Sequence, residues 1–267
     1  RNVRKLCADS PMMAAALGVG PALALMFYTL RDYTYPQVER PFFDDRKLFL
    51  MLAVGMVIGV VVYVLQSYFD LGFILFALLF AVLEELIKLV ILNMPRFSRK
   101  LDTSFYGFAL GLGIGSTMAF GAVFYTMQQS DMDLLAWITV LVLAVQMVLL
   151  HASTGALIGT GSARGEMWGY FAQAGLVHIG FNLLMAIPLN FDNIIAAWAG
   201  VILATLLPEI AGKWRLPPSL SINSRNTARR GKEGTGGRGR LFKTANRDRE
   251  TKSAGDVDAG RLPRQPS

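Results

Sequence analysis

The chain has 267 residues, of which 53% are hydrophobic and 17% are charged, and its formal net charge is +7. Charges are sparse between residues 48 and 208 and dense beyond residue 219, which is not the pattern of a soluble globular domain. Many basic residues lie in short gaps between apolar runs, where they set membrane topology and attract anionic lipid headgroups, so nucleic acid is not expected as a partner. The single cysteine, Cys7, excludes an intrachain disulfide.

Seven segments are apolar over the roughly 20 residues that a helix needs to cross the hydrocarbon core. A backbone in lipid must satisfy its own hydrogen bonds, so such segments become helices. The sequence therefore predicts an all-α fold, a polytopic transmembrane bundle of about seven helices. In chain order the segments are 12–30, 48–68, 71–92, 105–127, 134–160, 170–189 and 194–212.

Basic residues occur in alternate gaps between these segments, and the second, fourth and sixth gaps contain none. Cytoplasmic loops carry the excess of Lys and Arg, so seven crossings place the basic gaps inside the cell and the N-terminus outside. We thus expect a multi-pass protein of the cell membrane, although the N-terminal basic residues Arg1, Arg4 and Lys5 oppose this orientation. The basic gaps and the end of the last segment contain Arg31, Arg40, Arg46, Lys47, Arg96, Arg99, Lys100, Arg164, Lys213 and Arg215.

The last fifty residues differ in composition from the rest of the chain. From about residue 216 they are rich in Pro, Ser, Gly, Arg and Lys and have almost no apolar residues. Such a segment cannot bury enough surface to fold by itself. We expect a membrane-embedded domain over residues 1–215 and a disordered, basic cytoplasmic tail over 216–267.

The third segment contains three charged residues, Glu84, Glu85 and Lys88. Each charge costs roughly 2.5–3.5 kcal/mol within a bilayer. Lys88 is spaced to pair with either glutamate on a helix, which leaves one carboxylate over. In a low dielectric, one of two adjacent carboxylates becomes harder to ionise, as a general acid or base near neutral pH requires. The other interpretation is a structural ion pair that orients neighbouring helices.

Both histidines of the chain, His151 and His178, also lie within predicted spans. Asn182 follows His178 by one helical turn, and it could donate to a developing oxyanion or bond a neighbouring helix. Counted from the cytoplasmic ends, the two glutamates and both histidines lie at a common depth of roughly 12–16 Å. Three helices would thus bring polar groups to one intramembrane site.

A metal site is a weaker interpretation of the same residues. Glu84, His151 and His178 would form a two-histidine, one-carboxylate set like that of a catalytic zinc site. The spacing is not diagnostic, because the three residues come from separate helices. The sequence favours a site without a cofactor, with zinc as the alternative.

Four motifs in order along residues 15–185 resemble the PrsW family, part of the wider superfamily of CAAX-processing and Abi-type intramembrane proteases. A similar early stretch spans residues 21–46, and Gly107, Gly111 and Gly115 repeat at the four-residue spacing of a helix-packing seam. The motifs are Glu84-Glu85-x-x-Lys88, Tyr106-Gly107-x-x-x-Gly111-Leu112-Gly113, His151, and His178-x-x-x-Asn182.

This resemblance implies an endopeptidase that cuts a membrane-anchored protein substrate, such as an anti-sigma-like factor. It implies that Glu84 or Glu85 activates water with the help of an intramembrane histidine, and that His178 and Asn182 stabilise the oxyanion. The same family implies no metal.

One departure from the family pattern lies in the fourth span. The family has Phe-x-x-x-Glu followed by Asn there, whereas this chain has Ile114, Met118 and Ala119. A site carboxylate is therefore missing, and a catalytically inactive membrane scaffold is a second hypothesis. A proton-coupled transporter is a third, because intramembrane Glu and His also relay protons.

Overall fold

The computed structural model describes residues 2–35, 38, 41–69, 74–129, 133–190 and 202, without the side chains of 2–10 and 186–190. The described residues contain helices and no strand, which confirms the predicted all-α class for this part of the chain. The helices are α1 (Asn2–Leu30), extended by a 3₁₀ turn (Arg31–Tyr33), then α2 (Asp45–Gln66), α3 (Ile74–Leu92), α4 (Thr103–Gln129), α5 (Leu134–Arg164) and α6 (Met167–Asn190).

Six of the seven predicted spans coincide with these helices. The seventh, 194–212, and the tail, 216–267, lie outside the described residues except for residue 202. By length and composition, four described helical segments could cross a membrane: Pro11–Tyr33, Asp45–Gln66, Thr103–Gln128 and Leu134–Arg164. The other two helices are not among these four: α3 carries three charged residues within 19, and the side chains of α6 are described only as far as residue 185.

Short-range hydrogen bonds mark where several helices begin and end. The Asp44 side chain accepts from the backbone N of Arg46 at 2.9 Å before α2, and that of Asp133 accepts from Ala136 N at 2.7 Å before α5. Each aspartate satisfies an N–H that the first helical turn leaves without a partner. Gly165 ends α5 with a φ of 77°, a left-handed conformation that glycine adopts without steric cost.

Helix α4 is the centre of the bundle. It packs against α1, α2 and α5 and makes a smaller contact with α3. Every residue from 103 to 119 is buried. The close approach is made possible by glycines on two faces: a Cβ at Gly113 would strike the backbone carbonyl of Leu52 in α2, and one at Gly107 would strike that of Gly155 in α5. The predicted packing seam of small residues is thus a contact between α4 and α5.

The outward faces of α2 and α3 are apolar. Val57 and Val61 of α2 are 65% and 61% exposed, and Val90 of α3 is 61% exposed. Exposed apolar surface along whole helices is unfavourable in water and is the ordinary state of helices surrounded by lipid. The polar side chains of α3 point the other way, into the bundle.

Candidate active site

The charged face of α3 is entirely enclosed. Glu84, Glu85 and Lys88 are 2%, 0% and 0% exposed. Lys88 Nζ donates to Glu85 Oε1 at 2.7 Å, so the predicted pairing within α3 is made with Glu85. Buried charges are tolerated when they are paired and hydrogen-bonded. Glu84 is the carboxylate left over.

Helix α5 brings His151 and Thr154 to the same lysine. Lys88 Nζ lies 3.1 Å from His151 Nδ1 and donates to Thr154 Oγ1 at 2.7 Å. The backbone of α5 can come this close because Gly111 of α4 has no side chain, and a Cβ there would strike the His151 carbonyl. The glycine seam therefore determines the position of His151.

Helix α6 contributes His178, which lies on the other side of Glu85. His178 Nδ1 and Glu85 Oε1 are 2.7 Å apart. One turn further, Asn182 Nδ2 donates to the backbone carbonyl of Ala77 in α3 at 3.0 Å. Asn182 thus makes the helix–helix hydrogen bond, one of the two roles considered for it from the sequence, and holds α6 against α3 next to His178.

The two imidazoles converge on Glu84. Glu84 Oε2 lies 3.5 Å from His151 Nε2 and 3.8 Å from His178 Nε2. The rings are nearly perpendicular, with centroids 5.1 Å apart. Among the described residues, Glu84 Oε2 accepts no hydrogen bond although it is fully buried. Glu85 Oε2 shares this property, and a buried acceptor without a donor is uncommon and costly. The two imidazole nitrogens beside Glu84 Oε2 distinguish it from the Glu85 oxygen.

Two members of the cluster were not predicted from the sequence, Gln66 and Thr154. Gln66 is the last residue of α2, and its Nε2 donates to Glu84 Oε1 at 2.6 Å. Thr154 follows His151 by three residues and lies on the same helix face. The available signals were weak: a single glutamine near the end of a predicted span, and a threonine at helical spacing from a histidine.

Hydrogen bonds at Lys88 decide which nitrogen of His151 carries the proton. A lysine ammonium has three N–H donors and no acceptor. Those three donors meet Glu85, Thr154 and His151 Nδ1. With Lys88 as an ammonium, His151 Nδ1 accepts, and the ring proton lies on Nε2, where it faces Glu84. His178 has the opposite arrangement, because its Nδ1 faces the Glu85 carboxylate and donates to it.

The negative charges of the cluster outnumber its positive charges by one when both histidines are neutral. Two carboxylates and one ammonium leave a net charge of −1 if both imidazoles are neutral. One additional proton makes the cluster neutral, as a low-dielectric environment strongly favours. His178 Nε2 and Glu84 Oε2 are the acceptors nearest to each other that lack this proton, 3.8 Å apart. A proton at this place would be held by the pair and not by one residue alone.

The metal interpretation meets a specific obstacle at His151. One ligand atom each from Glu84, His151 and His178 lies within 4.8 Å of the other two, as in a metal site. His178 suits such a site, because a carboxylate on Nδ1 leaves Nε2 unprotonated. His151 does not suit it, because Lys88 on Nδ1 places a proton on the nitrogen that would have to bind the metal. The metal interpretation therefore depends on which nitrogen of His151 carries the proton.

The departure in the fourth span lies within the buried part of α4. Ile114 and Met118 are 1% and 3% exposed and lie one turn apart. A glutamate at position 118 would therefore be a buried charge. Met118 keeps α4 apolar at this position.

Comparison with known proteins returns no match: none among family models, none among curated proteins and none among solved structures.

Proposed function

We propose that this protein is an intramembrane endopeptidase that cleaves a membrane-anchored protein substrate, with Glu84 as the base that activates water. The main support is the environment of Glu84 Oε2. This oxygen is buried, accepts no hydrogen bond from the described residues and lies within 4 Å of two imidazole nitrogens. Glu85 Oε2 is also buried without a hydrogen bond from the described residues, so the two imidazoles beside Glu84 Oε2, and not the missing donor alone, support Glu84 as the base.

The proposal includes the membrane arrangement expected from the sequence. It takes the protein as a bundle of about seven spans with the N-terminus outside and the tail, 216–267, in the cytoplasm. It also takes up the likeness of the motifs around Glu84, Tyr106, His151 and His178 to the PrsW family, and with it a single-span protein such as an anti-sigma-like factor as the substrate. Four apolar helices and the alternating basic gaps support this arrangement.

In the proposed reaction, one water molecule contacts Glu84, His151 and His178 together, which their spacing within 4.8 Å allows. Glu84 takes a proton from this water while the water oxygen bonds to the carbonyl carbon of the substrate. His151 Nε2–H donates to the carbonyl oxygen as it becomes an oxyanion. The proton shared by Glu84 and His178 passes to the leaving nitrogen as the C–N bond breaks, so that a carboxylic acid and an amine are released.

The second carboxylate has a different role in this reaction. Glu85 Oε1 accepts from both Lys88 and His178, at 2.7 Å each. It therefore orients the His178 ring and stabilises a positive charge on it, while Lys88 keeps Glu85 ionised. Such orienting partners typically change activity by about 10- to 100-fold when they are removed.

Two other functions remain as alternatives, each with its own support. Met118 supports an inactive scaffold that binds membrane partners, and proteolysis that is seen only after Met118→Glu would favour it. The proton shared by Glu84 and His178 supports a proton-coupled transporter. Proton-dependent uptake of a solute into proteoliposomes would favour that function.

The test of the proposal compares Glu84→Gln with the unchanged protein. Newly formed protein N-termini in the membranes of cells that express each form would identify candidate substrates, which are then reconstituted with the purified protein. We expect Glu84→Gln to lower cleavage by about 10²- to 10⁴-fold, because it removes the base and keeps the shape. Glu85→Gln and His178→Ala should also reduce cleavage.

Glu166→Gln is the matched control, because Glu166 is exposed in the turn between α5 and α6. It should cleave at the rate of the unchanged protein. If Glu84→Gln, Glu85→Gln and His178→Ala all cleave normally, these residues take no part in the reaction.

A further inference from the structure

Gln66 comes from a different helix than every other member of the cluster. Glu84, Glu85 and Lys88 come from α3, His151 and Thr154 from α5, and His178 from α6. Gln66 comes from the end of α2 and donates its carboxamide N–H to Glu84 Oε1 at 2.6 Å. Its side chain is half-buried, whereas Glu84 is 2% exposed.

The hydrogen bond from Gln66 joins α2 to α3, two helices that otherwise pack mainly on different neighbours. In the described part of the chain, α2 packs on α4, whereas α3 packs mainly on α5 and α6 and does not pack along α2. Near Gln66 the two helices are joined by Phe69, whose ring lies 5.1 Å from that of Phe76 and 5.6 Å from that of Phe80. The Gln66 side chain thus reaches Glu84 from the place where the end of α2 lies beside α3.

The group that Gln66 presents is itself informative. A carboxamide N–H is the same donor that a peptide bond offers. Glu84 Oε1 accepts it, while Glu84 Oε2 accepts no hydrogen bond from the described residues and faces the imidazoles. One oxygen of Glu84 thus binds an amide, and the other is available for proton transfer.

We propose that Gln66 is a gate that imitates the substrate. Its carboxamide holds the Glu84 oxygen that a substrate amide N–H takes, and it leaves when a chain enters between α2 and α3. The inference rests on the proposed function and deepens it, because it assigns the bound group as an amide with an N–H donor. It also assigns the route of entry.

The position of Gln66 at a helix end permits this movement. Its neighbour Ser67 ends α2 and bonds back to the Val64 carbonyl at 2.7 Å, independently of Glu84. Tyr68 is 80% exposed. A half-buried side chain at such a position can rotate without opening the packed contacts of α4 and α5.

A gate and a fixed support of Glu84 have opposite consequences. A gate competes with the substrate, so its removal strengthens amide binding. A fixed support orients Glu84, so its removal weakens the reaction and leaves binding unchanged. Gln66→Met keeps the volume of the side chain and removes its donor, and Gln66→Ala removes both.

The experiment measures binding of octanamide to the purified protein in detergent. Because the chain has two histidines, both next to Glu84, the ¹⁵N signals of histidine-labelled protein report directly on the site. N,N-Dimethyloctanamide is the matched probe, since it has the same carbonyl and no N–H donor. Ser67→Ala is the matched variant, one residue away and without a bond to Glu84.

We expect octanamide to bind Gln66→Ala and Gln66→Met on the order of tenfold more tightly than the unchanged protein, as for one hydrogen bond to a charged group. Ser67→Ala should bind like the unchanged protein, and the dimethyl probe should not distinguish the variants. Equal or weaker octanamide binding by both Gln66 variants would overturn the gate. So would a lack of octanamide binding by every form.

Cleavage kinetics separate this inference from the proposed function. With a cleaved substrate, Gln66→Met should lower KM several-fold and leave kcat near its original value. A lower kcat with an unchanged KM would identify a support of Glu84 and overturn the gate. Tighter amide binding without any cleavage would preserve the amide gate and reject the endopeptidase.

Discussion

At the scale of single residues, Lys88 organises the cluster. Its three donors meet Glu85, Thr154 and His151, and it is 0% exposed. This arrangement makes the two histidines different, because His151 accepts at Nδ1 whereas His178 donates there. In the proposed reaction, this difference lets one imidazole act as an N–H donor and the other exchange a proton with Glu84.

The first prediction concerns the protonation of the two rings. We expect ¹⁵N NMR of histidine-labelled protein at neutral pH to show His151 as the neutral tautomer protonated at Nε2. His178 should carry its proton at Nδ1. Assignment follows from His151→Gln, which removes one set of signals. A His151 ring protonated at Nδ1 would contradict the proton arrangement and would favour the metal site.

The second prediction concerns the charge of Lys88. Lys88→Met should lower the free energy of unfolding by about 3–5 kcal/mol, because it leaves two buried carboxylates without a cation. Thermal unfolding in detergent measures the change. Adding Glu85→Gln to Lys88→Met should recover much of the loss, since it removes one uncompensated charge.

Lys100→Met is the control for this prediction, because Lys100 is an exposed lysine in the α3–α4 connection. Its loss should change stability by less than about 0.5 kcal/mol. If Lys88→Met is equally mild, Lys88 does not stabilise the carboxylates.

At the scale of helices, the contact between α4 and α5 determines where His151 lies. Gly111 and Gly115 of α4 face the α5 backbone, and a Cβ at Gly115 would come within 3.3 Å of His151 Cβ. The pair therefore packs backbone against backbone, an arrangement that small residues make possible. The position of His151 in α5 thus depends on two glycines of α4.

The third prediction tests this contact. Gly111→Ala should destabilise the protein by roughly 1–3 kcal/mol or more and reduce any activity, because its Cβ meets the His151 carbonyl. Gly169→Ala is the matched substitution, since Gly169 lies in α6 with open space around it. It should stabilise the protein by up to about 1 kcal/mol through helix propensity. Equal thermal stability of the two variants would show that the contact between α4 and α5 has room for a Cβ at position 111.

At the scale of the whole molecule, alternating charge and apolar helices predict how the chain crosses the membrane. The fourth prediction uses single cysteines in a Cys7→Ser background. An impermeant maleimide should label Tyr68→Cys in intact cells, and Lys100→Cys and Glu166→Cys only after permeabilisation. All three positions are exposed. Labelling of all three from one side would contradict the proposed topology.

Much of the helical architecture is predictable from the sequence because it depends on local properties. Long apolar segments must form helices in lipid, so six of the predicted spans coincide with observed helices. The three charged residues of α3 are also visible in the sequence, and they explain why this otherwise apolar helix is not among the four that could span by composition. The shared depth of Glu84, His151 and His178 follows from counting residues along helices.

Tertiary packing determines which side chains contact each glutamate, and the spacing of residues along the sequence does not. Glu84 and Glu85 point about 100° apart on α3, so only the positions of α5 and α6 determine that Glu84 faces both Nε2 atoms and Glu85 binds Lys88. Gln66 reaches Glu84 because α2 packs on α4 and ends beside α3. These contacts join residues 18 to 93 positions apart. They depend on the fit between helices, which no local pattern of hydrophobicity or charge contains.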